Sequence, residues 1–114
     1  MHSSDAISNV LVYGGGINCK FYITVQYRNT TTMPVNIIGI LDDTKYLKNQ
    51  YIYGYKILGG IDDLSFIYKQ HKFDKIILTT DNIEVDNIEK LKFFSQKYNI
   101  ELSKSKFSEE SVIL

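Results

Sequence analysis

Short, unbroken apolar runs alternate with longer amphipathic stretches along this chain, and no other feature of the sequence restricts its fold as much. "VLVY" at Val10 to Tyr13, "VNIIGILDD" closing on Asp42 and Asp43, "KILGG" and "DKIILTT" place apolar residues at consecutive positions. A strand with one wet face alternates polar and apolar, so these runs predict strands covered on both sides. Between them, Asn18 to about Asn29 reads as a helix with Phe21, Ile23, Val25 and Tyr27 as mixed apolar content. "IDDLSFIYKQHK" begins a second helix, with Asp62 or Asp63 as its N-cap and Leu64, Ile67 and Tyr68 on one face. "NIEVDNIEKLKFFSQKYN" gives a third, with Ile88, Leu91 and Phe94 or Ser95 at helical spacing. "IELSKSKF" alternates and reads as a last, edge strand. "NTTTMP", holding the only proline, Pro34, is a loop, and "TKYLKNQYIYGY" reads as irregular with Gly54 as a turn.

At 114 residues the chain has length for one core and one domain. Strands and helices in this order, joined by short connections, predict a parallel sheet with helices on both faces. Right-handed crossovers then lead to an open Rossmann-like α/β sheet of about five strands, ordered 3-2-1-4-5. Such sheets bind ligands beyond the carboxyl ends of their strands where the order reverses, here between the loops after Tyr13 and Thr80. Residues 1–8 read as a disordered start or a cloning scar, 9–107 as the domain, and 108–114 as a tail.

Thirteen basic residues balance thirteen acidic ones, which leaves no electrostatic footprint for nucleic acid or an anionic membrane. No stretch nears the ~18 apolar residues that span a bilayer, and "MHSSDAIS" lacks a signal-peptide core. The single cysteine, Cys19, cannot form an internal disulfide and fits a reducing compartment. The expectation is a cytoplasmic protein, or the cytoplasmic side of a membrane enzyme.

Three of the seven glycines, Gly14, Gly15 and Gly16, fall where the first strand becomes a helix. Glycine there lets the backbone approach a phosphate, and the helix start, from Ile17, adds unpaired N–H groups and a partial positive charge. Gly14 and Gly16 fit the dinucleotide pattern G-x-G-x-x-G, and Cys19 stands at its third glycine, a position that serves close helix–strand packing. The other reading is a turn and nothing more. Asp42 and Asp43 close the second strand, where such folds keep a ribose-binding acid. Their separation from the glycines exceeds the usual ~20 residues, an excess the "RNTTTMP" loop can absorb. Asp-Asp-Thr is also good turn chemistry, so both readings stand for these acids. Thr80 and Leu58 complete the expected cleft lining.

Other motifs give less. Tyr68 and Lys72 have the Tyr-x-x-x-Lys spacing of short-chain dehydrogenases, but on the helix between strands three and four, too early in the chain for that chemistry. His2 and His71 are far apart, and no Cys or His cluster has metal-ligand spacing. Cys19 reads as packing. Tyr51, Tyr53 and Tyr55 have period-two spacing and read as one face of a short strand, with a ligand platform or partner surface as the alternative. No Gly-Lys-Ser/Thr follows the glycines, so the P-loop pattern is absent.

"VLVYGGG", "IIGILDD", "IYGYKILGGIDDL" and "FDKIILTT", in that order, resemble the nucleotide-binding, CoA-binding-like domain of bacterial polysaccharide-biosynthesis proteins. The resemblance covers residues 9 to about 105, and "IYGYKILGGIDDL" is its most specific part. That domain accompanies nucleoside-diphosphate-sugar epimerases and dehydratases of capsule and O-antigen synthesis, and polyprenyl-phosphate sugar-phosphate transferases. The resemblance implies NAD(P) or a nucleotide sugar at Gly14 to Gly16, with Asp42 near a ribose. It implies no catalysis by this chain alone, since nothing matches the catalytic half of an epimerase. The helix after the glycines departs from the family in lacking its Arg- and Leu-rich face. The alternative is a ligand-free module for homodimerisation or for docking in a larger parent enzyme.

Overall fold

The computed structural model describes residues 7–28 and 35–105. Six strands form one sheet: β1 (Ser8–Tyr13), β2 (Val35–Leu41), β3 (Tyr51–Ile52), β4 (Tyr55–Gly59), β5 (Lys75–Leu78) and β6 (Glu101–Lys104). Three helices cross between them: α1 (Ile17–Arg28), α2 (Leu64–Gln70) and α3 (Val85–Tyr98), with single 3-10 turns at Lys45–Leu47 and Ile61–Asp63. The sheet order is β3-β4-β2-β1-β5-β6. All pairings are parallel except β3 with β4. The five parallel strands, β4-β2-β1-β5-β6, keep the expected 3-2-1-4-5 order, and the sixth is an addition.

That sixth strand corrects the irregular reading of "TKYLKNQYIYGY". Tyr51 and Ile52 fold back on Lys56 and Tyr55 through a two-residue turn. The turn is Tyr53-Gly54, with φ of 52° and 87°. The three tyrosines therefore do not share one strand face: Tyr51 lies on β3, Tyr53 in the turn and Tyr55 on β4.

Unbroken apolar runs do mark doubly covered strands. In β1, Val10, Leu11 and Val12 have no exposed surface. Leu11 and Tyr13 face a core built with α2 and α3 through Leu64, Ile67, Phe73, Leu91 and Phe94. Val10 and Val12 face the opposite core, formed with α1 through Cys19, Tyr22 and Ile23. Burial of each such side chain stabilises the fold by roughly 1.5–3 kcal/mol. α1 puts Cys19, Tyr22 and Ile23 inside but leaves Ile17, Phe21 and Tyr27 exposed, so it has apolar residues around most of its circumference.

Tyr68 packs edge-on against Phe73 and Phe94, with ring centroids 5.1 and 5.6 Å apart. The Lys72 ammonium lies over the same ring, 4.3 Å from its centroid. This cation–π and core role accounts for the Tyr-x-x-x-Lys spacing without catalysis. Asp63 is the residue before α2, yet its carboxylate reaches back to the Gly60 N–H at 3.0 Å and so caps the preceding 3-10 turn. β6 lies at the sheet edge as expected, and the last residues of "IELSKSKF" fall outside the described segments.

Candidate functional site

β1 and β5 are adjacent, but the chain leaves β1 through α1 on one face of the sheet and reaches β5 through α2 on the other. Their carboxyl ends therefore open a crevice that no crossover fills. A cleft of about 370 Å³ occupies it, bordered by Gly14 to Asn18 after β1, Asp42 and Asp43 after β2, and Thr79, Thr80 and Asn82 after β5. The structure thus brings together Gly14, Gly15, Gly16, Ile17, Asp42, Asp43 and Thr80. Leu58 is not among them. Its side chain fills the space that Gly39 leaves on β2, on the other part of the sheet. The expectation that Leu58 lines this cleft is corrected: alternation along β4 points it toward α2.

The three glycines have different reasons for being glycine. Gly14 has φ of 106°, and a β-carbon there would stand 2.8 Å from Thr79 Oγ1. Its N–H donates to the Leu41 carbonyl at 2.8 Å, which joins the turn to the end of β2. Gly15 donates to Asp42 Oδ2 at 2.8 Å, and a β-carbon on it would meet Ile52 Cδ1 at 2.8 Å and Asp42 Oδ2 at 3.0 Å. Gly16 is different, because no heavy atom lies within 4 Å of where its β-carbon would be. Its carbonyl accepts from Cys19 and Lys20 and so starts α1. Among the described residues, no acceptor meets the N–H groups of Gly16, Ile17 and Asn18. These amides stand at a helix N-terminus, where the aligned peptide dipoles favour a negative charge.

The two acids divide their work. Asp42 bridges the glycine turn and its own loop: Oδ2 accepts from Gly15 N–H, and Oδ1 accepts from Thr44 N–H at 2.9 Å. Asp43 faces the other way. It accepts the Tyr13 hydroxyl and the Ile61 N–H, the latter at 2.7 Å, and Asn87 Nδ2 approaches it at 3.4 Å. Burial, together with the Asp43 carboxylate, pushes the Tyr13 hydroxyl well above the usual phenol range, so it stays a donor. Thr80 Oγ1 accepts the Asn82 N–H at 3.1 Å and holds the loop after β5. Thr79 was missed by sequence reasoning, although it adjoins Thr80; its hydroxyl donates to the carbonyl of Tyr13 at 2.8 Å and lies 3.2 Å from that of Gly14. Tyr13 and Asn87 were also missed, since nothing local marks a strand tyrosine or a helix asparagine as the partner of a distant aspartate.

Cys19 has no exposed surface and packs among the β1 and α1 core residues, the close helix–strand contact that its position in the motif suggests. Burial, and secondarily the Asp42 charge, push its thiol from 9.0 to about 12, which makes it a poor nucleophile at neutral pH. Burial likewise raises Tyr22, and burial with the Tyr27 hydroxyl raises Tyr55 from 10.0 to about 12. In each case the unfolded chain loses its proton at lower pH than the folded one. The stability they contribute is fully present below pH 9 and falls as the pH rises toward 12. Melting temperatures measured from pH 7 to 11 should be level at first and then drop, and a thiol reagent at pH 8 should label Cys19 only as fast as the chain opens.

Among the described residues, no group of three or more His, Cys, Asp or Glu side chains is placed to hold a metal ion, and no helix is long and apolar enough to cross a membrane. No protein-family model matches the sequence, and no curated protein matches it. Solved structures do. UDP-D-quinovosamine 4-dehydrogenase from Vibrio fischeri is similar with a TM-score of 0.72 at 17% identity, over 94% of this chain and 84% of that one. RSP, a Rex-family repressor, is similar with a TM-score of 0.66 at 16% identity, over 95% of this chain and 57% of RSP. RSP in complex with beta-NAD+ and operator DNA gives 0.65 at 16% identity, over 95% of this chain and 55% of that one. These likenesses establish the class: the chain is an α/β domain with a Rossmann-like fold.

Proposed function

We propose that this domain binds a nucleotide-type small molecule, NAD(P) or a nucleotide sugar, at the glycine turn. The observation that carries the reading is the trio of free N–H groups, Gly16, Ile17 and Asn18, beside the cleft and under a glycine with empty space above it. A diphosphate placed there would meet three donors and the positive end of α1. Asp42, which accepts the neighbouring Gly15 N–H and lines the same cleft, would accept from a ribose hydroxyl, and Thr80 would form the opposite wall. Asp43, held by Tyr13 and Ile61, would shape the rim. Among the similar structures, RSP is seen with beta-NAD+. In that setting the domain would serve a polysaccharide-biosynthesis enzyme, such as a nucleoside-diphosphate-sugar epimerase or dehydratase, by holding its ligand without chemistry of its own. Operator DNA is a partner of RSP; the even charge balance of this chain argues against one here.

Calorimetric titration with NAD+, NADH, NADP+ and UDP-sugars tests the reading. Saturable heat with at least one is expected, and no binding of any at millimolar concentration overturns it. Asp42→Asn separates the two halves of the ligand. Removing the carboxylate should weaken a ribose-bearing ligand about tenfold, the effect of losing one charged acceptor. Inorganic pyrophosphate should bind the variant no more weakly than it binds the original. Equal loss for both would place Asp42 in the scaffold alone.

A docking module is the second reading. The exposed Ile17, Phe21 and Tyr27 along α1 favour it, at 58%, 48% and 73% exposure. A dimer stable to dilution that buries the glycine turn would support this reading against the first.

A further inference from the structure

Between α2 and α3 runs a groove of about 470 Å³ that shares no lining residue with the cleft at the glycine turn. Leu64 and Ser65 of α2 line it, with Phe94 and Tyr98 of α3. Phe93 borders it too, with 69% of its surface exposed. A single exposed ring needs no explanation, but one contiguous with an apolar groove marks a place where another surface packs.

α3 arranges charge around that ring in an order that complements itself. Asp86, Glu89, Lys90, Phe93 and Lys97 follow at three- and four-residue steps and are all exposed, so they form one stripe. Asp86 lies in the first turn of the helix and Lys97 in the last. Lys90 is held by Asp62 at 2.9 Å, which joins α3 to the 3-10 turn at Ile61–Asp63. Among the described residues, Glu89 and Lys97 have no ion-pair partner. The Lys97 ammonium rests over the Tyr98 ring, 5.4 Å from its centroid. Glu89 precedes Phe93 by four residues and Lys97 follows it by four, about 6 Å along the helix axis in each direction.

We propose that two copies of this chain associate through this face, α3 against α3 in antiparallel order about a two-fold axis at Phe93. Such an axis brings each position of one copy opposite its counterpart in the other, and the reverse. Glu89 then meets Lys97 of the second copy, and Lys97 meets its Glu89. Both open charges gain a partner, and neither faces a like charge. The antiparallel order also sets the two helix dipoles head to tail. The two Phe93 rings leave water together beside the apolar groove. Parallel order would set Glu89 against Glu89 and Lys97 against Lys97, and an apolar partner of another kind would use the ring but neither charge. The face is not that of α1, which packs on the opposite side of the sheet from α2 and α3. It leaves the glycine turn open to a ligand.

Sedimentation equilibrium on the chain and three variants tests the proposal. The original chain should form a dimer whose fraction rises with concentration and falls with added salt, which screens the paired charges. Phe93→Glu should raise the dissociation constant at least about 50-fold, the loss of a central aromatic contact. Glu89→Lys alone and Lys97→Glu alone should each raise it about tenfold or more, since like charges then face each other at both pairs. Mixed in equal amounts, these two variants should form a heterodimer within about threefold of the original affinity. Every contact between position 89 and position 97 across that heterodimer joins opposite signs. All three residues are exposed, so at dilutions where each chain is monomeric the melting temperatures should agree within about 3 °C. An original chain that stays monomeric at about 1 mM overturns the proposal. So does a dimer that survives Phe93→Glu, or a mixture of the two charge variants that associates no more tightly than either alone.

Discussion

Gly14→Ala should destabilise the domain by about 2–4 kcal/mol, the combined cost of a left-handed residue and a close contact. At φ of 106° an alanine is strained whatever the space around it, and the space is already taken. Its methyl carbon would meet Thr79 Oγ1 at 2.8 Å. That hydroxyl cannot simply turn away, because it donates to the Tyr13 carbonyl. The alternative is for the turn to shift, which lengthens the Gly14 N–H bond to Leu41. A domain of this size has a total stability of order 5–15 kcal/mol. The melting temperature should accordingly fall by roughly 10–20 °C. A fall of less than about 3 °C would mean that the turn relaxes freely and that Gly14 does not fix its geometry.

Gly16→Asp should do the reverse, sparing the fold and removing the ligand. Nothing lies within 4 Å of the position and its φ is not left-handed. Its carbonyl accepts from Lys20, which makes it the residue before the first turn of α1, where aspartate is among the preferred caps. The new carboxylate can accept one of the free α1 amides and complements the helix dipole, so stability should hold or rise. It also puts a fixed negative charge where a phosphate would sit. Nucleotide affinity should drop at least about 100-fold, near 2.8 kcal/mol. Calorimetry and a melting curve on the same sample check both halves. Unchanged affinity would place the phosphate somewhere other than the α1 N-terminus. The contrast between neighbouring glycines also separates a turn kept for the chain's sake from one kept for a ligand's.

The parallel core of the fold was legible because its strands need no context to be recognised. Val10 to Tyr13 and the run ending at Leu78 are apolar at every position, and only a sheet covered on both faces buries such runs. β3 was hidden for the opposite reason. It has only two residues, Tyr51 and Ile52, and turns on Tyr-Gly in place of the favoured Asn-Gly, so its existence depends on contacts with β4 and α1. The site was legible to the extent that it is local. Strand, glycines and helix are contiguous, and their order predicts where amides become available. Which amides remain free was not legible, since Asp42 takes that of Gly15 across 27 positions of sequence. The role of Asp43 lay equally out of reach, because its partners come from β1, the 3-10 turn after β4, and α3. Leu58 was misplaced because one-residue parity decides which face of β4 it occupies, and the unbroken run "KILGG" does not reveal that parity.

The position of Asp43 has an evolutionary consequence. One carboxylate receives groups from three segments that are remote along the chain, and a β-carbon on Gly60 would stand 2.7 Å from its Oδ1. Tyr13, Gly60, Ile61 and Asn87 therefore cannot drift one at a time without disturbing a shared acceptor. Descendants of this sequence would be expected to alter these positions in concert or leave them alone, even where the surrounding loops diverge.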